Sequence, residues 1–304
     1  MTEEARFDHV ALIGVGLING SIARDMRRLG LCDRFTGCAR SRQSLERAHA
    51  LGLIDQAAND PADAVAGADL VVLGVPVGAM GAVCHAMNTG LADHALVTDV
   101  GSTKASVVRD VGAALRDPAR FVAGHPVAGT EHSGPDAAIE HLFEGRWTLL
   151  TPTKSTHERA LARIEALWRA LGARVRTMSP EHHDQVLGIT SHLPHYLSFA
   201  IVNAVDDLAD DLESEVLAYA AGGFTDFTRI ASSDPDMWAD IALANRAAVL
   251  EMIDRFSEEL IALRREVRRG DRAALHSRIT RARSIRQKVV EAGQAYDRLP
   301  VRQD

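Results

Sequence analysis

The sequence predicts an α/β protein with a Rossmann-type, mostly parallel sheet, followed by an all-helical dimerisation domain. Three observations carry this. Short apolar runs alternate with amphipathic helical stretches through the first half, a glycine-rich turn joins the first such pair, and no strand signal recurs after Pro180. Strands alternating with helical patterns mark a parallel sheet covered by helices. His9 to Ile13 reads as a buried strand, Asn19 to Leu29 as a helix stopped by Gly30, and Phe35 to Ala39 as a second strand. A helix from about Arg42 to Leu51 ends at Gly52. Leu70 to Val75 is a strand broken by Pro76, and Leu96 to Asp99 is another. A helix runs from Thr103 to Leu115. Trp147 to Leu150 and Arg174 to Thr177 are further strands, flanking a helix from about His157 to Leu171.

A boundary near residue 178 separates a dinucleotide-binding domain, 1–178, from a helical substrate and dimerisation domain, 179–304. Its longest helix is expected to run unbroken from about Pro235 to Arg269. Val249, Ile253, Phe256, Leu260, Leu263 and Val267 recur along it at spacings of four and three, as a packing stripe. Gly270-Asp271 starts the final helix. Long helices of this kind favour a homodimer.

The 304 residues carry a net charge of −7, which argues against a general polyanion binder. Ten basic residues lie between Arg264 and Lys288, without interleaved aromatics. They read as a solvated helix pair, balanced by acids such as Asp206, Asp207, Asp210 and Asp211, and not as a nucleic-acid surface. The start, MTEEARFDHV, lacks the pattern of a secretory leader, and no apolar run approaches a membrane span. Cys32, Cys38 and Cys84 have neither metal-ligand spacing nor a disulfide pattern. The expectation is a soluble cytoplasmic protein with a small-molecule substrate and no nucleic-acid or membrane partner.

The segment Ile13 to Ser21 follows a strand and opens a helix. Gly14 suits the tight turn, Gly16 lets backbone approach a pyrophosphate, and the helix start at Leu17 and Ile18 offers N–H groups to it. Val75 and Pro76, past another strand end, are expected to line the same cofactor. Asn19 stands where G-x-G-x-x-G has its third glycine, so helix–strand packing there needs local relief. An acid at the end of the second strand would bond the ribose 2′-OH of NAD. Here the chain reads Gly37-Cys38-Ala39-Arg40-Ser41-Arg42. Arg40 with Ser41 suits a 2′-phosphate, so NADP is favoured over NAD.

His125 ends the apolar run of Phe121-Val122-Ala123-Gly124, where open α/β sheets place their ligands. Its imidazole can trade a proton near neutrality, although a lone histidine after a strand is more often structural. Ser102, in Asp99-Val100-Gly101-Ser102-Thr103-Lys104, reads on its own as a helix N-cap. His192 and His195 stand three apart, with no third ligand at a fitting distance, so no metal is expected.

The segments GVGLINGS, VVLGVPV, TDVGSTK, GHPVAGTEHSG, SHLPH and FTDFTRIASSDPDMW occur in this order over nearly the whole chain. Together they resemble the prephenate/arogenate (cyclohexadienyl) dehydrogenases of tyrosine biosynthesis. The resemblance implies an NAD(P)-dependent oxidoreductase that decarboxylates prephenate and/or arogenate, with hydride leaving C4 and CO2 leaving C1. It implies a dimer built on the helical domain. His125 matches the histidine that takes the C4 hydroxyl proton, and Ser102 the serine that orients hydroxyl, histidine and nicotinamide. Arg229 matches the arginine that binds a substrate carboxylate, and His195 and Ser191 match further pocket positions. Thr130, Glu131 and Trp238 match residues that line or gate the pocket, Trp238 in one arrangement from the partner subunit. Some relatives have lysine where Thr225 stands, so that partner for Glu131 is missing here. Glu131 would suit the ammonium of arogenate. The chain ends soon after the last helix, leaving no room for an appended regulatory domain or a fused chorismate mutase. Tyrosine inhibition would then act at the active site.

Two other readings compete. A β-hydroxyacid dehydrogenase shares the architecture but expects a lysine on the first helix of the second domain, where Ser191 and His195 stand. A nucleotide sensor without catalysis expects His125 and Arg229 to be lost, and both are present.

Overall fold

The computed structural model describes residues 3–206, 219 and 222–291. The chain divides into two compact units, 1–249 and 250–304. In the first, six parallel strands form one sheet in the order β3-β2-β1-β4-β5-β6. They are β1 Phe7–Ile13, β2 Cys32–Cys38, β3 Gln56–Ala58, β4 Leu70–Leu73, β5 Leu96–Asp99 and β6 Phe121–Val122. Helices α1 Leu17–Arg28, α2 Arg42–Ala50, α3 Pro61–Val65, α4 Met80–Met87 and α5 Ala105–Ala114 connect them. Strand alternation feeds two cores. Val10, Leu12, Leu70 and Val72 face one, with Ile22, Met26 and Trp168. Ala11, Ile13, Val71 and Leu73 face the other, with Met80 and Val107. Between β1 and β4 the strand order reverses, which opens a crevice at their carboxyl ends.

The expected later strands form a separate sheet. β7 Gly124–Pro126 pairs antiparallel with β8 Trp147–Leu150, which pairs parallel with β9 Arg174–Thr177. β6 stops after two residues because the Gly124 N–H bonds to the Asp99 carboxylate, at 3.0 Å, instead of continuing the ladder on β5. α6 Glu158–Ala170 packs against the first core through Ile164, Leu167 and Trp168. Val75, expected inside a strand, lies beyond the end of β4.

Past Thr177 the described residues form no strand. α7 Pro180–Leu187 runs through a π-helical turn, Gly188–His192, into α8 Leu193–Asp206. α9 Gly222–Thr228 and a 3-10 turn, Arg229–Ser232, lead to α10 Pro235–Ala244, α11 Arg246–Arg269 and α12 Arg272–Glu291. The helix expected to run unbroken from Pro235 to Arg269 is therefore two. The break is at Asn245 (φ −110°, ψ 32°), whose buried amide donates to the Asp184 carbonyl at 2.8 Å and meets His192 Nδ1 at 3.1 Å. Of the acids expected to balance the basic stretch, Asp207, Asp210 and Asp211 lie outside the described residues.

In the second unit Gly270 (φ +63°) ends α11 and the chain turns into α12. Arg278 bonds Glu266 at 2.7 Å and also pairs with Glu259, joining the two helices by charge. The expected stripe is buried at its start, at Val249, and opens further along, where Phe256, Leu260 and Val267 are 36%, 52% and 61% exposed. Among the described residues no helix is long and apolar enough to cross a membrane.

The β1–α1 turn shows how Asn19 replaces a glycine. Gly14 (φ +87°) needs to be glycine, because a Cβ there would lie 2.6 Å from the Gly74 carbonyl oxygen. The Asn19 amide turns inward and donates to the Gly14 carbonyl at 2.7 Å and the Val72 carbonyl at 3.2 Å. Room for it comes from Gly74, where a Cβ would sit 2.5 Å from Asn19 Nδ2. The demand for a small residue has moved from position 19 to position 74. Gly74→Ala should therefore destabilise by about 1–3 kcal/mol, the usual cost of overpacking. Adding Asn19→Gly should recover part of it. Urea midpoints of the two singles and the double test this, and strict additivity would refute the coupling.

Candidate active site

A cleft of about 390 Å³ opens at the carboxyl ends of β1, β4 and β5. Gly16, Leu17 and Ile18 form one wall, Val75 and Pro76 a second, and Ser102, His125, Thr130 and Glu131 a third. Arg40 stands at the rim. α1 opens into this cleft with Gly16 as its N-cap, no side-chain cap and no acid in its first turn. Its first N–H groups and dipole end thus suit an anion. A Cβ on Gly16 would meet no protein atom within 4 Å, so this face of the turn is open to a ligand. These features fit a dinucleotide pyrophosphate. At the 2′ end the residues separate. The Ser41 hydroxyl accepts from the Ser44 N–H and caps α2, and Arg42 pairs with Glu46 at 2.9 Å. Ser41 does not line the cleft; of the expected pair only Arg40 does.

His125 is buried against the helical part. Its Nδ1 lies 2.9 Å from His183 Nε2, and His183 Nδ1 lies 2.8 Å from the Asp184 carboxylate. Chemistry orders the protons along this chain. The carboxylate can only accept, so His183 carries its proton on Nδ1 and presents a bare Nε2. His125 then donates from Nδ1, which leaves its own Nε2 as a lone pair. Burial lowers the His125 pKa well below the usual imidazole value, and the positive charges that His183, Lys104 and His192 can carry lower it further. His125 is therefore a neutral base at physiological pH.

Asp184 does more than orient His183. Its two oxygens accept from the Lys104 N–H at 2.7 Å and the Ala105 N–H at 2.9 Å, the first amides of α5. The expected cap, Ser102, lies before the helix begins, and the position is capped from 80 residues away. Ser102 is thereby left in the cleft wall. Burial would raise the Asp184 pKa, but the bonds from His183 and the two amides outweigh it and hold it low.

His195 donates from Nδ1 to the Ser191 carbonyl at 2.9 Å. Its ring stacks on Trp238 at 3.7 Å. Trp238 is only 6% exposed, packs against His192, Tyr196 and Phe199 of its own chain, and supports the His195 ring. Burial lowers the His195 pKa and the nearby Arg229 adds to this, against the Ser191 bond. Arg229 is half-exposed and pairs with Glu131 at 2.6 Å. Glu131, in a loop, has the cationic partner that its lost lysine would have supplied. Burial takes the His192 pKa down to about 4.

The structure thus gathers Gly16, Leu17, Ile18, Arg40, Val75, Pro76, Ser102, His125, Thr130 and Glu131 on one cleft. Arg229 joins them through Glu131, with His195 and its support beside it. Gly14 lies behind the turn. Sequence reasoning missed His183, Asp184 and Asn245. One signal was present: His183 and Asp184 precede Leu187 by four and three residues, so they occupy the buried stripe of α7. Among the described residues no three His, Cys, Asp or Glu side chains are placed to hold a metal ion.

A parallel sheet with an uncapped helix start and a buried imidazole on one cleft fits a dinucleotide-dependent oxidoreductase. Comparison with known proteins narrows the class. Residues 22–177 match the nucleotide-binding domain of prephenate dehydrogenase, and residues 179–281 match the dimerization domain of prephenate dehydrogenase. The chain is 40% identical to the cyclohexadienyl dehydrogenase of Zymomonas mobilis over 87% of its own length and 90% of that protein's. It is 35% identical to the prephenate dehydrogenase of Bacillus subtilis over 97% and 77%. The crystal structure of the Aquifex aeolicus prephenate dehydrogenase with hydroxyphenyl propionate and NAD+ superposes with a TM-score of 0.86. It is 36% identical and matches over 93% of this chain and 98% of that one. The chain belongs to the prephenate dehydrogenase family.

Asp184 predicts a pH signature. Its pKa is depressed on folding, so its stabilisation is present above the unfolded carboxylate value near about 4 and lost as pH falls through the lower folded value. Asp184→Asn should cost on the order of 1–3 kcal/mol at neutral pH. Urea unfolding at neutral and strongly acidic pH should show the gap to wild type closing in acid. An unchanged gap would refute it.

Proposed function

We propose that this chain oxidatively decarboxylates prephenate or arogenate, with hydride passing to NADP or NAD bound at the α1 turn. The observation that carries this is the His125–His183–Asp184 chain, which leaves a bare imidazole nitrogen on the residue that lines the cofactor cleft. Bound at α1, the nicotinamide supplies the hydride acceptor. His125 Nε2 receives the hydroxyl proton as the C4–H bond breaks, the C1–carboxylate bond breaks to give CO2, and the ring becomes aromatic. A weak base suffices, because the hydroxyl becomes strongly acidic as hydride departs from its carbon. The imidazolium formed donates a charge-assisted bond to His183, which Asp184 holds in place. Ser102 orients the hydroxyl beside His125.

Arg229 receives a substrate carboxylate, with His195 and Ser191 beside it. That carboxylate takes the position of Glu131 on Arg229. The freed Glu131 then meets the ammonium of arogenate, whereas prephenate offers it none. A β-hydroxyacid dehydrogenase is not favoured: residues 180–206 contain no lysine. We place the boundary between the cofactor and helical parts at residue 178 and the protein in the cytoplasm. We also propose a homodimer, because the uncovered α11 stripe and the family match to a dimerization domain both call for a second copy.

Initial rates with prephenate and arogenate, each with NAD and NADP, test the activity, and no turnover in any combination would sink it. His125→Asn should lower kcat by about 10²–10⁴-fold with cofactor affinity kept. Because the His125 pKa is lowered, wild-type kcat/KM should stay level through neutral pH and fall only below the ordinary imidazole value of about 6.5. An acid limb above that value would rule His125 out as the base. NADP is the inferred preference, since no acid follows β2 and Arg40 faces the cleft. Arg40→Ala should weaken NADP far more than NAD, and equal losses would remove the 2′-phosphate assignment.

A further inference from the structure

Asp99 and Lys104 form an ion pair with both side chains fully buried. Neither lines the cleft. Asp99 Oδ1 accepts from the Gly124 N–H at 3.0 Å, and Oδ2 accepts from the Gly101 N–H at 2.8 Å. Lys104 Nζ donates to Asp99 Oδ2 and, at 2.7 Å, to the Gly124 carbonyl. The pair thus grips both backbone groups of the residue before His125 and the amide of the residue before Ser102. Both gripped residues are glycines under close approach. A Cβ on Gly101 would lie 2.9 Å from Asp99 Oδ2, and one on Gly124 would lie 3.1 Å from the Asp99 carbonyl oxygen.

Stability alone does not call for such a pair. Two charges lose several kcal/mol of hydration each on burial, and apolar pairs of similar volume are often as stable or more so. An apolar pair here would, however, leave two N–H groups and one carbonyl unpaired beside the reacting groups. The carboxylate meets the Gly124 N–H and the ammonium its carbonyl, so one pair satisfies a donor and an acceptor on the same residue.

We propose that Asp99 and Lys104 are positioning residues that lock Ser102 and His125 into one register across the gap between the two sheets. The inference rests on the dehydrogenase reading for its kinetic test. The groups facing Lys104 are Asp99 from β5, Asp184 and His183 from α7, and His125 from β7. Those facing His125 are His183 from α7, Lys104, and His192 from the π turn. The ammonium therefore acts on His125 by charge as well as by geometry. Loss of the ammonium raises the His125 pKa. Burial already pushes the Lys104 pKa down against the pull of Asp99, so loss of the Asp99 charge lets the buried amine shed its proton and raises the His125 pKa as well. An upward shift from either half of the pair ties both residues to His125.

The test uses Lys104→Met and Asp99→Asn in the full chain. Cofactor binding and urea unfolding are followed first, then steady-state rates with the better substrate. Histidine-specific NMR titration of His125 runs in parallel without substrate. Both variants should lose on the order of 10²-fold in kcat, the scale of a small misplacement of reacting groups, with KM kept within a few-fold. The His125 titration and the acid limb of kcat/KM should move to higher pH in both variants. If one variant fails to fold, the other decides. Rates near wild type, a shift of the His125 titration to lower pH in either variant, a loss spread over KM with an unmoved titration, or failure of both to fold would each overturn the proposal. Absence of turnover in wild type would sink the function reading alone, since the NMR titration reads the pair without it.

Discussion

The Asp184 carboxylate is the interaction on which the site depends. It accepts from the amides that start α5, from the imidazole behind His125, and its residue's carbonyl receives the Asn245 amide. A helix start needs an acceptor and favours a negative charge. Here α7 provides both, so the segment carrying Ser102 is fixed to the helical half of the site as well as to its own strand through Asp99. The same charge decides which nitrogen of His183 is protonated, and through it the lone pair of His125. Fold and proton transfer thus share one anion. Its burial is tolerable because each oxygen is bonded.

Much of the sheet was legible beforehand, because burial on both faces writes strands as continuous apolar runs. Leu70 to Leu73 is of this kind. Gly14 was legible because a positive φ at a strand end leaves few other residues. The site was legible mainly as a set of segments whose order resembled a family. What escaped has one physical cause: its partners are remote in sequence. Nothing near Ser102 reveals that its helix is capped from position 184. Periodicity runs smoothly through Asn245, yet two buried hydrogen bonds to distant groups break the helix there. Asn19 looked like a departure from the glycine pattern, and its compensation lay at Gly74.

Charge was the least legible layer. Arg40, Ser41 and Arg42 are adjacent in sequence but divide in space: a cleft-facing cation, a helix cap and a surface ion pair. Glu131 and Arg229, almost a hundred residues apart, neutralise each other at the pocket. On the proposed role of Arg229, a substrate carboxylate arriving there would exchange one anion for another. Its net gain is therefore smaller than that of an arginine meeting its first carboxylate. More of the discrimination then falls on the rest of the molecule, including whatever group the displaced Glu131 meets.

β7 belongs to a different sheet from the strands that shape the cofactor cleft, and Ala123 alone separates it from β6. The base therefore sits at a seam. The cofactor cleft opens at this seam, and the loop that leads from His125 to β8 lines it through Thr130 and Glu131 before Ile139 and His141 tie it to α1. The stretch from Thr130 to Ser133 can change composition while the imidazole keeps its angle, since β7 is pinned at its start by Asp99 and Lys104 and paired to β8. An architecture of this kind separates inheritance of the chemistry from inheritance of the substrate. Members of such a lineage can diverge in what they oxidise while the proton acceptor and the electron acceptor stay in register.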